Sequence, residues 1–391
     1  MRVCMFAMMM PAHVAGGMEI HTLELCRGLA SAGHHVSVIT GRHPNGIEYE
    51  NVEGVGIHYV DVKATSKKPM GGKALEKLGE MNSEREFDVI HSQSFAAYHY
   101  ISSGLKDKLG IPIVTTLHGT SRGEIRSNLN QGLSLTLLPK MLFHIYNQKR
   151  YSERFVRGCD AVISISKELT ENIPREFKIT EKKVKTIYNG IDTEKFKPAD
   201  SEVKSKYPGK RILLAVSVLH RQKGVQYLIK AFRKVHERHG DTHLMIVGEG
   251  PYRERLEQMA REFGLSDLVS FAGKVPNNDL WKYYNAAYAF IIPTVRVEGL
   301  PLIELESMSC GKPVVASDIG GIPTVIEDGV NGLLVEPGNV DMLVDRISRV
   351  LEDRGLASRL GENARETIVD GFSREKMVED TVRAYEEAIS G

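Results

Sequence analysis

Short apolar runs alternate with longer segments of helical period along this chain, and the whole alternation occurs twice. The first set of runs is Val3–Met9, His35–Thr40, Ile57–Val62, Phe87–His91, Pro112–Leu117, Ala161–Ser166 and Val184–Tyr188. The second is Arg211–Val218, His243–Val247, Val269–Ala272, Ala289–Pro293, Pro313–Ser317 and Gly332–Val335. Most of them lack strict polar–apolar alternation, which is the pattern of parallel strands covered by helices on both faces. Between them lie helix candidates: Glu19–Ala32, with Ile20, Leu23, Cys26, Leu29 and Ala30 on one face, then Gly224–His239, Pro251–Phe263, Asn278–Ala286 and Val340–Leu351. Strand–helix alternation of this kind predicts an α/β chain made of two doubly wound, Rossmann-like domains.

A length of 391 residues agrees, since it exceeds what one ordinary core supports. The polar stretch Glu194–Lys210, with Pro198 and Pro208 and no apolar face, predicts the boundary. The expected division is 1–194, a linker over 195–210, a second domain over 211–372, and a closing helix within 373–391. In that helix Met377, Val378, Val382, Tyr385 and Ile389 recur at helical spacing.

Charge excludes one class of partner. Lys plus Arg (51) nearly cancels Asp plus Glu (50), so the chain carries no strong field for nucleic acid. Cys4, Cys26, Cys159 and Cys310 are scattered without CxxC spacing, which predicts reduced thiols and a cytoplasmic protein. The N-terminal MRVCMFAMMMP is read as a buried first strand, because no small-residue cleavage site follows it. No run of about 18 uncharged apolar residues predicts a membrane span.

The densest chemistry lies between Val297 and Ile319. Glu298 and Glu306 stand eight positions apart across a Gly299-Leu300-Pro301 turn, and Cys310-Gly311-Lys312-Pro313 leads into an apolar run. Pro301 suits the first turn of a helix, since its missing N–H has no partner there anyway. A helix from Pro301 to Gly311 leaves N–H groups near Leu302 and Ile303 free for an anion such as phosphate. Eight residues is a little over two turns, so both carboxylates can flank that anion.

Other turns are weaker one by one. Ala15-Gly16-Gly17-Met18-Glu19 opens the first helix and could bring backbone close to a ligand, or serve as a plain turn. His118 ends a strand, where ligands bind in open α/β sheets, although lone histidines are more often structural. Leu219-His220-Arg221-Gln222-Lys223-Gly224 places basic groups between a strand and a helix. Glycine turns also occur at Gly248-Glu249-Gly250-Pro251, at Gly273-Lys274-Val275, whose backbone could meet a flat ring, and at Gly320-Gly321. All fall at strand ends, as one cleft requires. There is no Asp-x-Asp and no GxxxxGK[ST] loop, which removes the usual metal-binding pair for a sugar diphosphate and argues against a P-loop enzyme.

In this order the motifs resemble the retaining glycosyltransferases of the GT-B fold, glycosyltransferase family four. The family's E-x7-E element matches Glu298 through Glu306, its GG-x-E turn Gly16–Glu19, its strand-end histidine His118, and its NG[IV]D hinge Asn189–Asp192. Its Lys-Gly matches Lys223-Gly224, its GxGP turn Gly248–Pro251, and its DGxNGxLV Asp328–Val335. Where the family often has arginine, five residues before the lysine, this chain has Val218, and Arg221 is the nearest substitute.

The resemblance implies an NDP-sugar in the C-terminal domain, an acceptor in the N-terminal domain, a closing helix that crosses back to that domain, and a cleft facing both. It implies that Glu306 holds the ribose and Glu298 the donor sugar. Lys223, with Arg221 and the N–H groups of Leu302 and Ile303, would stabilise the leaving diphosphate, and His118 would lie by the anomeric carbon. Gly16, Gly17, Gly248, Val275, Gly299, Leu300 and Pro301 complete the implied donor set. No metal and no cofactor is expected; the nucleotide sugar is a co-substrate, and the acceptor is a sugar, a small molecule or a lipid-linked hydroxyl. The apolar segment Leu129–Tyr146, followed by Gln148-Lys149-Arg150, reads first as a packing helix and second as a peripheral membrane contact. Two other readings stay open: an epimerase or hydrolase using the same cleft, and a non-catalytic sugar-nucleotide-binding partner.

Overall fold

The computed structural model describes residues 1–14, 16–65, 69–129, 146 and 151–391. The chain divides into two compact units. The first comprises Met1–Ser121, Ser134–Gly190 and Arg374–Gly391; the second comprises Arg122–Leu133 and Ile191–Ser373.

The first unit is built on an eight-stranded sheet of order β3-β4-β2-β1-β5-β6-β7-β8. Its strands are β1 (Arg2–Phe6), β2 (His35–Thr40), β3 (Tyr49–Val52), β4 (Val55–Tyr59), β5 (Val89–Gln93), β6 (Ile113–Leu117), β7 (Ala161–Ser164) and β8 (Val184–Thr186). All pairings are parallel except β3 with β4. Every residue of β5 and β6 is buried, as the lack of alternation predicts. Helices α1 (Gly17–Ser31), α2 (Gly72–Glu84) and α3 (Lys167–Phe177) belong to this unit. Leu25, Cys26 and Leu29 of α1 join Val3, Met5, Val38 and Val89 in its core.

Of the β3–β4 hairpin, β4 was read as the run Ile57–Val62, whereas β3 was not legible in the sequence. Tyr-Glu-Asn-Val has no apolar run, because an edge strand with half-exposed faces needs none. Its turn is set by Glu53 (φ 52°) and Gly54 (φ 87°), the left-handed pair of a tight hairpin, with the Asn51 side chain accepting from the Gly54 N–H. The first apolar run also extends past its strand: β1 stops at Phe6, and Met8–Met10 belong to the loop beyond it.

The second unit has a six-stranded sheet, parallel throughout, of order β11-β10-β9-β12-β13-β14. These strands are β9 (Arg211–Val216), β10 (Thr242–Val247), β11 (Val269–Gly273), β12 (Ala289–Ile292), β13 (Val314–Ser317) and β14 (Leu333–Val335). The helices are α4 (Val225–Arg238), α5 (Arg253–Glu262), α6 (Leu280–Ala286), α7 (Leu302–Ser309), α8 (Val340–Glu352) and α9 (Arg354–Gly371). Leu228, Phe232 and Val235, one face of α4, pack on Leu213, Leu244 and Ile246 of the sheet. The stretch read above as a linker is folded onto this unit. Phe196 is 3% exposed with its ring 6.0 Å from that of Tyr284, and the Ala199 N–H donates to Asn285 at 2.9 Å. Its polar composition hid these contacts because they run mainly through backbone groups.

Helix α10 (Arg374–Ser390) returns to the first unit, where Val378 sits so close to Gly28 of α1 that a Cβ there would overlap it. Arg374 pairs with Glu24 at 3.1 Å. Both strand orders reverse once, between β1 and β5 and between β9 and β12. Ligands of doubly wound sheets bind at such points, beyond the carboxyl ends of the strands. No helix among the described residues is long and apolar enough to cross a membrane. The segment read as a packing helix or membrane contact lies outside the described residues except for Leu129 and Tyr146, as do Gln148, Lys149 and Arg150.

Candidate active site

In the second unit the loops after β9 and β12 meet at the reversal point, and they carry the chemistry. Lys223 closes a short 3-10 turn, Arg221–Lys223, after β9. Its Nζ donates to Glu298 Oε1 at 2.7 Å, and Thr294 Oγ1 donates to the same oxygen at 3.0 Å. Both side chains of the ion pair are largely buried, at 22% and 13% exposure. Burial alone would raise the Glu298 pKa. The Lys223 ammonium outweighs it, with help from Arg296 and the Thr294 hydroxyl, and holds the carboxyl below its ordinary value. Glu298 is therefore an anion at neutral pH.

Glycines let these loops close on each other. Gly224 has φ 73°, and a Cβ on it would overlap the Pro293 carbonyl beside Thr294. Gly320 has φ 65° against the Glu298 backbone, whose carbonyl accepts from Gly321 N–H at 2.9 Å. Gly248 takes the same part against the Ser217 carbonyl, so its backbone meets the loop after β9. A cavity of about 20 Å³, room for one water, lies among Ser217, Lys223, Thr294, Glu298, Pro301 and Ile303. A larger open groove of about 560 Å³ runs along α9, past Pro198, Glu362 and Arg365, and contains none of these groups.

Helix α7 starts after Pro301, as the Gly-Leu-Pro turn predicts, and stops at Ser309. Pro301 is its N-cap and offers no side-chain acceptor. Gly299 and Ile303 are half-buried, whereas Leu300 and Leu302 are buried. Glu306, on the same helix, is 2% exposed; its Oε2 accepts from Tyr284 at 2.6 Å and its Oε1 from Asn277 at 3.2 Å. Burial, and then the Glu306 charge, push the Tyr284 phenol well above its ordinary value, so it stays a donor. Val275 is half-buried in the loop that also carries Asn277. Tyr284, Asn277 and Thr294 were missed in the sequence, where each looks like ordinary helix or loop. Only the packing of α6 and the loop after β12 brings them to the two glutamates.

Val218 stands beyond the end of β9 with 59% of its surface exposed. Arg221 is exposed as well, and among the described residues it makes no ion pair. The basic turn therefore carries one cation bound to an acid and one free to meet an anion.

Glu304 is a surprise. It is 0% exposed in the first turn of α7, and neither carboxyl oxygen has a hydrogen-bond partner. Burial, with Glu298 adding to it, pushes its pKa well above the ordinary value, so it is held as the neutral acid. A carboxyl raised in the folded state contributes stability below its unfolded pKa, about 4.3, and loses it as pH rises. Glu304→Leu removes both the unpaired oxygens and this dependence. It is expected to stabilise the protein by about 1–3 kcal/mol at neutral pH, with a gain that grows from pH 5 to 8 in denaturant titrations. An unchanged pH slope would rule this out.

In the first unit His118 follows β6, and its Nε2 lies 2.7 Å from Gln93 Oε1 at the end of β5. His21 of α1 packs edge-to-face on it, ring centroids 4.9 Å apart. His91 of β5 contacts Tyr385 of α10 at 2.5 Å and Thr116 at 2.8 Å. Burial pushes His21 down to about 4 and His91 to about 3. The Gly16-Gly17 turn precedes α1 in this unit, and the Glu19 carboxylate folds back over Gly16. The anion preference of that helix start is thus met from within the chain.

Comparison with known proteins identifies the family and the fold. The family model for glycosyl transferases group 1 matches residues 196–367, and that for glycosyltransferase family 4 matches residues 15–195. An uncharacterised glycosyltransferase of Methanocaldococcus jannaschii is 32% identical, over 100% of this chain and 99% of its own. Sucrose-phosphate synthase from Thermosynechococcus elongatus superposes with a TM-score of 0.84 at 23% identity, covering 100% of this chain and 99% of that one. HepE of Anabaena, solved with UDP and glucose, superposes with a TM-score of 0.76 at 19% identity, covering 99% of each.

Proposed function

The chain belongs to glycosyltransferase family four, enzymes of the GT-B fold, and from that premise we propose that it moves a hexosyl group from a UDP- or GDP-linked sugar to a hydroxyl acceptor, with retention and without a metal ion. The observation that carries this reading is the Lys223–Glu298 pair at the strand-order reversal, beside the start of α7. A diphosphate entering there meets the Lys223 ammonium, the exposed Arg221 and the N–H groups of Leu302 and Ile303, all preorganised for charge that grows as the phosphate leaves. Once Lys223 turns to phosphate, Glu298 keeps Thr294 and has lone pairs free for hydroxyls of the donor sugar. Glu306, oriented by Tyr284 and Asn277, is the carboxylate that accepts from the ribose diol.

In the transfer step the acceptor oxygen bonds to the anomeric carbon as the phosphate oxygen leaves on the same face. The acceptor's proton passes to that leaving oxygen. His118 stands at the end of a strand of the first unit, the kind of position where ligands of open α/β sheets bind, and its imidazole offers a hydrogen bond to a substrate hydroxyl. The Anabaena relative's UDP and glucose support the choice of a uridine donor as the first to try.

A thermal-shift panel of UDP-, GDP- and ADP-sugars in EDTA tests the donor, since a ligand at 100 times its Kd adds about 2.7 kcal/mol of stability. One nucleotide class is expected to raise Tm, and nucleotide release is expected only when an acceptor is added. Transfer that disappears with EDTA and returns with a divalent ion would reject the metal-free mechanism. Nucleotide release that ignores the acceptor would indicate hydrolysis instead.

A further inference from the structure

We propose that Gln93 is a positioning residue that fixes His118 with its ring proton on Nε2, leaving Nδ1 as a hydrogen-bond acceptor for a substrate hydroxyl. The inference rests on the transferase reading for its functional half and on geometry alone for its tautomer half. Gln93 Oε1, 2.7 Å from His118 Nε2, can only accept, so Nε2 must be the donor. The amide orientation is itself determined: Gln93 Nε2 lies 3.4 Å from the thioether sulfur of Met5, a weak acceptor. Turning the amide over would aim a carbonyl oxygen at that sulfur and lose the contact. Gln93 is 3% exposed, and the backbone after it is pinned. Ser94 takes φ 51°, and its carbonyl accepts from Ser92 Oγ at 2.9 Å and Thr115 Oγ1 at 2.8 Å.

The surroundings then decide which nitrogen is usable. His118 Nδ1 makes no hydrogen bond among the described residues, and the residue is only partly covered. His21, from α1, offers no competing partner: both of its ring nitrogens are buried without hydrogen bonds. The groups facing His118 are His21 from α1 and His91 and Gln93 from β5, with Tyr385 of α10 beyond His91. None of them carries negative charge. Burial first, and then His21 and His91, lower the His118 pKa well below the ordinary value, so no proton is available for Nδ1. A neutral imidazole fixed this way can receive a hydroxyl hydrogen and has no second proton to give. The role is set by a neighbour's amide, as second-layer hydrogen bonds set the tautomer of histidines elsewhere.

Nitrogen-15 NMR of the histidine-labelled full chain reads the tautomer directly, with His118→Asn assigning the signal. His118 is expected as the neutral Nε2–H form from pH 6 to 8. Gln93→Glu supplies a carboxylate in place of the amide, so His118 is expected to become cationic near neutrality, with kcat down about tenfold and recovering as pH rises. Gln93→Met, close in shape, is expected to mix the tautomers and to lower kcat with donor KM little changed. A Tm within a few degrees of wild type, and unchanged nucleotide binding, show that the variants fold. A proton on Nδ1 in the wild type, or a Gln93→Met enzyme with wild-type tautomer and kcat, would overturn the proposal while leaving the transferase reading intact. Full turnover in His118→Asn would instead overturn the functional half and the role of His118, whatever the NMR shows.

Discussion

Lys223→Ala is expected to lower kcat by roughly 100- to 1000-fold, the usual consequence of removing one preorganised group from a developing anion. The structure gives the change a second effect. Glu298 would remain in its buried site without the ammonium that now holds its pKa down, and burial would push the carboxyl up. Sign matters here. A depressed carboxyl adds stability above its unfolded pKa and loses it as pH falls through the folded value, so the wild-type contribution is complete at neutral pH. In Lys223→Ala it disappears, and stability is expected to fall with rising pH where the wild type is flat. The double variant Lys223→Met/Glu298→Gln separates the effects. It has no stranded charge, so stability is expected to return while kcat does not. Recovery of both would mean that the pair is structural and that the diphosphate is held elsewhere.

Gly224→Ala is expected to be the most damaging single methyl group in the second unit. At φ 73° any side chain costs about 1–2 kcal/mol. Here the added Cβ also overlaps the Pro293 carbonyl, a backbone atom that cannot swing away. Steric strain of that kind brings the total to about 3 kcal/mol or more. Gly209 is the control, since it has φ 71° and nothing within 4 Å of an added Cβ. Gly209→Ala is expected to show the backbone cost alone. If both variants lose equal stability in urea titrations, the close approach of the loops after β9 and β12 is not what Gly224 provides. Activity of any folded Gly224→Ala protein is expected to be low, because Lys223 and Thr294 sit on the two loops pushed apart.

Much of this was visible in one dimension. The strand runs gave β2 with the bounds His35–Thr40 that the structure shows, and the Gly-Leu-Pro turn gave the start of α7. Such features are local, because a doubly covered strand must be apolar throughout and a helix must begin where N–H groups lose their partners. Glu298, the first acid of the E-x7-E spacing, and Lys223 of the Lys-Gly turn were likewise marked, and they pair at the β9–β12 reversal. What failed was equally physical. The β3 edge strand has no apolar signature, and residues 195–210 are polar in composition yet bound through backbone groups to the second unit.

The sequence by itself determined the class of fold, the family and the candidate acids and base, because each depends on residue type and spacing along one chain. Only the tertiary structure decided their states. It placed Lys223 on Glu298, closed Glu306 with Tyr284 and Asn277, left Glu304 buried and unpaired, and put Gln93 on the one nitrogen of His118 that it can occupy. Charge and proton position depend on burial and on partners far along the chain, 88 residues apart for Gln93 and Met5 and 294 for His91 and Tyr385, and no local pattern records these.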